Sequence, residues 1–314
     1  MKILKYAIIL LLLSITDGQS YTEIELDGLI TDRKQEISGM TIHRNNVILL
    51  PENLNGYYFY IPFSEILGRL SDYERKLLYN DKPILPVQKT LTTRKLKERY
   101  PGLDGFEAIA FNGDDVYIMI EVRIDGKMAG LLIWGTIIPS TMEIDIPEEN
   151  IMLIKPPIQI DNFSFESLTI IDGQLIMIYE TNGFKIIDRP FQYVVNLDDM
   201  SVNKTPFPHT DFRLTDATSV IDNKFWMINY YWTGDKETLG VPNDVGIERL
   251  VEFKLGYNGI ERSSSNYITL DNLDDPHNWE GLVRFSNGFL ICTDKWPRMV
   301  LGYIERWYEI GIPH

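Results

Sequence analysis

The sequence predicts an all-β protein: a five-bladed β-propeller closed by its N-terminal strand, with a short helical insertion in blade one. Three observations predict it. One hairpin pattern recurs five times, further strand-like runs follow each copy, and the last copy lacks a strand that the start of the chain can supply.

The clearest copy is Gly105 to Glu121. Its first run, Ala108 to Phe111, is short and apolar, and Asn112-Gly113-Asp114-Asp115 is turn chemistry. Val116 to Ile120 is rich in β-branched and aromatic residues. With the turn centred near Asp114, Glu107 and Glu121 are expected to face each other at the open end. Phe165-Glu166 to Glu180, Thr215-Asp216 to Tyr230 and Trp279-Glu280 to Asp294 repeat the pattern, and Ile37-Ser38 to Glu52 is a weaker copy. The marked positions 38/52, 107/121, 166/180, 216/230 and 280/294 are 14 apart every time. Chance apolar alternation would not hold that interval five times.

Each interval between copies holds two more strand-like runs. They are Tyr57–Ile61 and Ile84–Val87 after the first copy, Gly130–Trp134 and Ile151–Ile154 after the second, Tyr193–Leu197 and Val202–Phe207 after the third, and Leu250–Leu255 and Tyr267–Leu270 after the fourth. After the fifth only Met299–Ile304 is evident, so Tyr21–Leu26 is expected to complete that blade and remove the exposed edges. Between Ser64 and Tyr79, apolar Ile66, Leu67, Leu70, Leu77 and Leu78 alternate with charges, the pattern of an amphipathic helix. Thr90–Tyr100 reads as a solvated basic segment. Thr233–Arg249 reads as a long loop leaving the mouth end of blade four.

At the start, Lys2 and Lys5 precede the apolar run Tyr6–Leu13, followed by small residues through Ser20. This is the pattern of a secretory signal peptide over 1–20, with cleavage after Gly18 or Ser20. Residues 21–314 are then one propeller domain, secreted or periplasmic. The single cysteine, Cys292, allows no internal disulfide, so the fold must rely on its core. A net charge of −15 argues against nucleic-acid and anionic-membrane partners. A monomer acting on a small molecule or glycan is expected.

In a propeller the first strand of each blade lines the axis. Ser38, Glu107, Glu166, Asp216 and Glu280 should therefore form an inner ring at one mouth, with Glu52, Glu121, Glu180, Tyr230 and Asp294 around it. Carboxylates so crowded must take up protons, accept hydrogen bonds or bind a cation. An all-oxygen ring suits calcium better than magnesium or zinc. The competing reading is that each acid latches its blade to a neighbouring backbone amide.

Asn278-Trp279-Glu280-Gly281-Leu282, with Asp294 ending the next strand, resembles the N-F-E-G-L … D element of esterase-like phytase propellers. Gly105-Phe106-Glu107-Ala108-Ile109 with Glu121, and Phe165-Glu166-Ser167-Leu168 with Glu180, are similar. The five-fold count and the inner ring also resemble the calcium-activated nucleotidase (apyrase) propellers, except that Asp216 stands where those more often show a hydroxyl. The resemblance implies one central calcium on Ser and Glu side chains and hydrolysis of phosphate esters or anhydrides.

A calcium-dependent hydrolase of a phosphorylated substrate is thus one expectation, with Glu121, Glu180 or Asp294 as bases and His277 as a proton donor. Lys295, Arg298, Arg123 and Tyr230 are its candidate substrate-binding residues. A non-catalytic propeller with a structural calcium, holding a glycan or peptide on Tyr179, Tyr230, Tyr231, Trp232 or Trp296, is the second. A lactonase or esterase on the same scaffold is the third. No Ser-His-Asp or G-x-S-x-G arrangement is visible, which disfavours a nucleophile elbow.

Overall fold

Turn chemistry closes five hairpins where the repeats place them. The computed structural model describes residues 20–75, 82–183, 185–240, 245–257, 259–270, 277–295 and 298–305. The leader, apart from Ser20, and Leu77, Leu78 and Trp296 lie outside the described residues.

Strand β1 (Ser20–Ile24) precedes the first unit, which comprises β2 (Ile37–His43), β3 (Asn46–Pro51), β4 (Tyr57–Pro62), helix α1 (Phe63–Arg75) and β5 (Val87–Thr93). After the one-turn α2 (Leu96–Arg99), unit two holds β6 (Leu103–Asn112), β7 (Asp115–Ile124), β8 (Lys127–Ile138), β9 (Glu143–Ile146) and β10 (Ile151–Ile154). Unit three is β11 (Ser167–Ile171), β12 (Gln174–Ile178), β14 (Phe191–Asn196) and β15 (Val202–Pro206), with β13 (Thr181–Asn182) leaving it. Unit four is β16 (Thr210–Ala217), β17 (Lys224–Tyr231), β18 (Ile247–Gly256) and β19 (Gly259–Thr269), with α3 (Lys236–Leu239) in its loop. Unit five is β20 (Trp279–Phe285), β21 (Gly288–Thr293) and β22 (Leu301–Glu305).

The molecule is therefore all-β and built of several sheets. Strand β1 pairs antiparallel with β22, giving the order β1-β22-β21-β20, so the N-terminal strand does complete the last sheet. Units one and two are joined into one nine-stranded sheet by a parallel pairing of β5 with β9. Strand β13 crosses from unit three to pair with β16. The strand expected at Ile84–Val87 starts later, at Val87, and Ile84 instead bridges Leu26.

First strands touch in the order β2, β6, β11, β16, β20 and back to β2. Among the described residues the buried apolar side chains fall into five clusters, each filling the space between two neighbouring units. Met40 with Val283 lies between units one and five, and Leu50 with Ile109 between one and two. Ala108 with Leu168, Ile178 with Leu214, and Ile228 with Leu282 fill the other three. Strands buried on both faces explain the near-continuous apolar runs.

Small residues let these first strands approach. The position after each inner-ring residue is Gly39, Ala108, Ser167, Ala217 or Gly281. A Cβ on Gly281 would lie 2.3 Å from Cys292 Sγ and 2.8 Å from Met40 Cβ, so nothing larger fits without displacing a neighbour.

Candidate functional site

Four of the five inner-ring residues sit at β-bulges, and the fifth, Glu166, stands just before β11. Ile37 pairs with Pro51 and Gly39 with Leu50, which leaves Ser38 as the extra residue. Glu107 between Phe106 and Ala108, and Glu280 between Trp279 and Gly281, are extra in the same way. The register of β16 shifts between Leu214 and Ala217, around Asp216. A bulged residue has no partner opposite it and its side chain is re-aimed. Glu107 and Glu121 accordingly do not face each other. The two-residue turn and the bulge displace the ladder, and Glu121 lies one step beyond the Phe106–Ile120 pair.

Backbone bonds fix the second position of three pairs. The amides of Glu52, Glu180 and Asp294 donate to the carbonyls of Glu36, Ser164 and Asn278, two residues before the inner-ring residue of their own unit. Their carbonyls accept from Phe106, Leu214 and Ile37 of the next unit at 2.8, 2.8 and 3.4 Å. The same residues that present carboxylates thus bind one unit to the next.

A cavity of about 170 Å³ opens at this end, lined by Ser38, Glu52, Asp104, Glu107, Glu121, Glu166, Glu280 and Asp294 together with Ile37, Asn162, Arg213 and Asn278. That is well above the roughly 10–15 Å³ a single water needs. Seven carboxyl groups share it, and the proton affinities of its five glutamates show the crowding. Burial, then Asp104, Asp294 and Glu121, push Glu52 up to about 7. Burial, then Glu180 and Asp104, push Glu121 up to about 8, and the hydrogen bond its protonated carboxyl donates to Asp104 helps hold the proton. Glu107 and Glu280 are raised well above the carboxylate range by burial first and neighbouring acids second. Glu166 is raised by burial and by Glu180, with which it also shares a hydrogen bond. Its Oε2 is buried and has no hydrogen-bond partner.

Asp216 is also raised well above the carboxylate range by burial, against the pull of three backbone amides, but it is placed differently. Its Oδ2 accepts from Leu282 N at 2.8 Å and Met40 N at 3.2 Å, and its Oδ1 from Ala217 N at 2.8 Å. It does not line the cavity; it ties unit four to units five and one, as the latch reading requires. Ser38 lines the cavity, while its hydroxyl donates to Phe106 O at 2.5 Å. Thr215 Oγ1 to Trp279 O and Ser167 Oγ to Leu214 O make similar links between units.

The outer candidates divide. Glu121 and Asp294 line the cavity. Glu180 is fully buried beside it, with Oε1 3.3 Å from Arg213 Nη1. His277 is placed by its amide, which donates to Glu248 at 2.8 Å, and its ring stacks on Trp279 with centroids 4.7 Å apart. Tyr230 packs against the cluster between units four and five, its phenol raised by burial and by Glu280. Lys295 pairs with Glu36, Arg298 with Glu23 at 2.7 Å and Arg123 with Asp161 at 2.5 Å. None of His277, Tyr230, Lys295, Arg298 or Arg123 lines the cavity.

Arg213, Asp104, Asn162 and Asn278 do line it, and sequence reasoning missed them. A signal existed: each lies two to four residues before an inner-ring position, in the strand or loop that enters it. As donors for a cation, the oxygens present are chemically suited to calcium, and the unpartnered Oε2 of Glu166 is one that a cation would satisfy. In the conformation described, no three His, Cys, Asp or Glu side chains among the described residues are gathered closely enough to hold a metal ion.

No family model matches the chain, and no curated protein matches it. Among solved structures, a luciferin-regenerating enzyme is 8% identical over 88% of this chain and 78% of that one, with a TM-score of 0.46. The phage phi92 endosialidase is 7% identical over 94% and 70%, with a TM-score of 0.46. A glycoside hydrolase of the GH130 family of mannoside phosphorylases, acting on β-1,2 mannosidic linkages in Candida mannan, is 12% identical over 90% and 86%, with a TM-score of 0.42. At TM-scores below 0.5 these likenesses lend no weight to an assignment of fold or chemistry.

Proposed function

We propose that the chain is a secreted five-bladed β-propeller that binds calcium in its acidic mouth and hydrolyses a phosphorylated small molecule. One observation carries this reading: seven carboxyl groups converge on one cavity, more than a scaffold needs, with a buried oxygen of Glu166 left without a partner. Glu107, Glu166 and Glu280, with the hydroxyl oxygen of Ser38, are the residues that would hold the cation. Asp216 belongs to the latch and not to this set. Bound calcium would supply charge to polarise a phosphoryl oxygen and acidify a water.

The remaining chemistry belongs to the chain. Asp294 is the cavity-lining base candidate. Glu121, expected from the sequence as a base, would instead act as a general acid toward a leaving oxygen, since burial and Glu180 push it up to about 8. Among the described residues no aromatic side chain lines the cavity, so those residues offer a glycan or peptide no stacking face. Lactone or ester hydrolysis uses the same scaffold and differs only in substrate.

The test is calcium titration by calorimetry together with phosphate release from a panel of nucleotides and phytate. Saturable calcium binding and calcium-dependent release are expected. Release from lactones alone, or inactivity on every substrate with calcium still bound, would reject the phosphohydrolase.

A further inference from the structure

Arg213 is the one cation among the described residues that line the cavity. Its guanidinium is fixed from several directions. Nε and Nη2 donate to Asp235 Oδ2 and Oδ1 at 2.9 and 3.3 Å. Nη1 stands 3.3 Å from Glu180 Oε1, an ion pair without hydrogen-bond geometry. One face lies over the Phe163 ring, 4.2 Å from its centroid. The side chain is only 16% exposed.

Asp235 therefore engages one edge of the fork, and both Nη1 hydrogens and one on Nη2 have no hydrogen-bond acceptor among the described residues. A guanidinium serving only to neutralise Glu180 and Asp235 has no need to form part of a cavity wall. Held in plane by a bidentate carboxylate and stacked on an aromatic ring, it is prepared for planar recognition of an oxyanion, which a lysine cannot reproduce.

We propose that Arg213 is the anchor for the phosphoryl group of the substrate, an assignment that rests on the phosphohydrolase reading above. It explains how a phosphate enters a cavity walled by acids: its charge meets Arg213 on one side and the cation held by the inner ring on the other. Asp235, in the loop after β17, and Glu180 position the guanidinium and do not contact substrate.

The whole protein is titrated with calcium and then with inorganic phosphate, as wild type, Arg213→Lys and Arg213→Gln. Calcium should bind both variants at least as tightly as wild type, since no favourable charge toward it is removed. Phosphate should weaken by at least about tenfold in Arg213→Lys, which keeps the charge but loses the fork, and disappear in Arg213→Gln. Melting curves check folding, and Arg213→Lys decides the matter if Arg213→Gln does not fold. Equal phosphate affinity in wild type and the folded variants would overturn the assignment, as would a wild type that binds calcium but no phosphate. Phosphate binding that depends on Arg213 without any calcium binding would support the anchor and sink only the metal.

Discussion

Raising the pH from about 5 to about 8 without calcium should destabilise the protein. Glu52 and Glu121 are raised from 4.5 to about 7 and about 8 when folded. A group whose proton is held more tightly in the folded state contributes stability that is complete below its unfolded value. That stability is lost as pH climbs through the folded value. At about 1.4 kcal/mol per pH unit, Glu121 alone corresponds to about 5 kcal/mol as an upper bound, and its coupling to Glu52 leaves roughly 4–6 kcal/mol for the pair. Glu107, Glu166 and Glu280 act in the same direction. Asp114 and Asp199, held below their ordinary 3.8, act only at more acid pH. At roughly 2–4 °C per kcal/mol, the apo melting temperature should fall by about 10 °C or more. Calorimetric melts across this range, with and without saturating calcium, are the assay. Calcium should reduce the fall, because it takes the place of the protons on Glu107, Glu166 and Glu280 and its charge eases the repulsion on their neighbours. An apo melting temperature that stays level or rises between pH 5 and 8 would refute the reasoning.

Other perturbations separate latch from site. Asp216→Asn turns an amide NH₂ toward backbone N–H donors and should cost about 2–4 kcal/mol in urea unfolding, while calcium affinity stays unchanged. Glu166→Gln removes a buried charge, so it should raise the apo melting temperature near pH 8 and weaken calcium binding by at least about tenfold. Gly281→Ala forces a Cβ against Cys292 and Met40 and should destabilise by about 2 kcal/mol or more.

Much of this architecture was legible in the chain. The turns after Phe111, Ile171 and Phe285 and the strand runs around them carry their own local chemistry, so all five hairpins formed where the spacing put them. The closing strand at Ser20–Ile24 followed from counting the runs after Asp294. The parallel β5–β9 pairing did not, because side-chain alternation shows which face is buried and is silent about which edge finds which. A bulge adds one residue without altering composition, so the facing of Glu107 and Glu121 was misjudged. Asp216 and Glu107 look equivalent in sequence. They part only because three amides, from Met40, Ala217 and Leu282, reach the first and no amide of the described residues reaches the second. The cations that follow the hairpins, Lys295, Arg298 and Arg123, pair with acids outside the cavity, while Arg213 enters from before one.

The most direct measurement is an anomalous difference map from crystals grown in calcium at about pH 8. The account predicts a single strong peak within the cavity, bounded by carboxylate oxygens of Glu107, Glu166 and Glu280. A cavity holding only water, with those three side chains turned to backbone amides as Asp216 is, would contradict it.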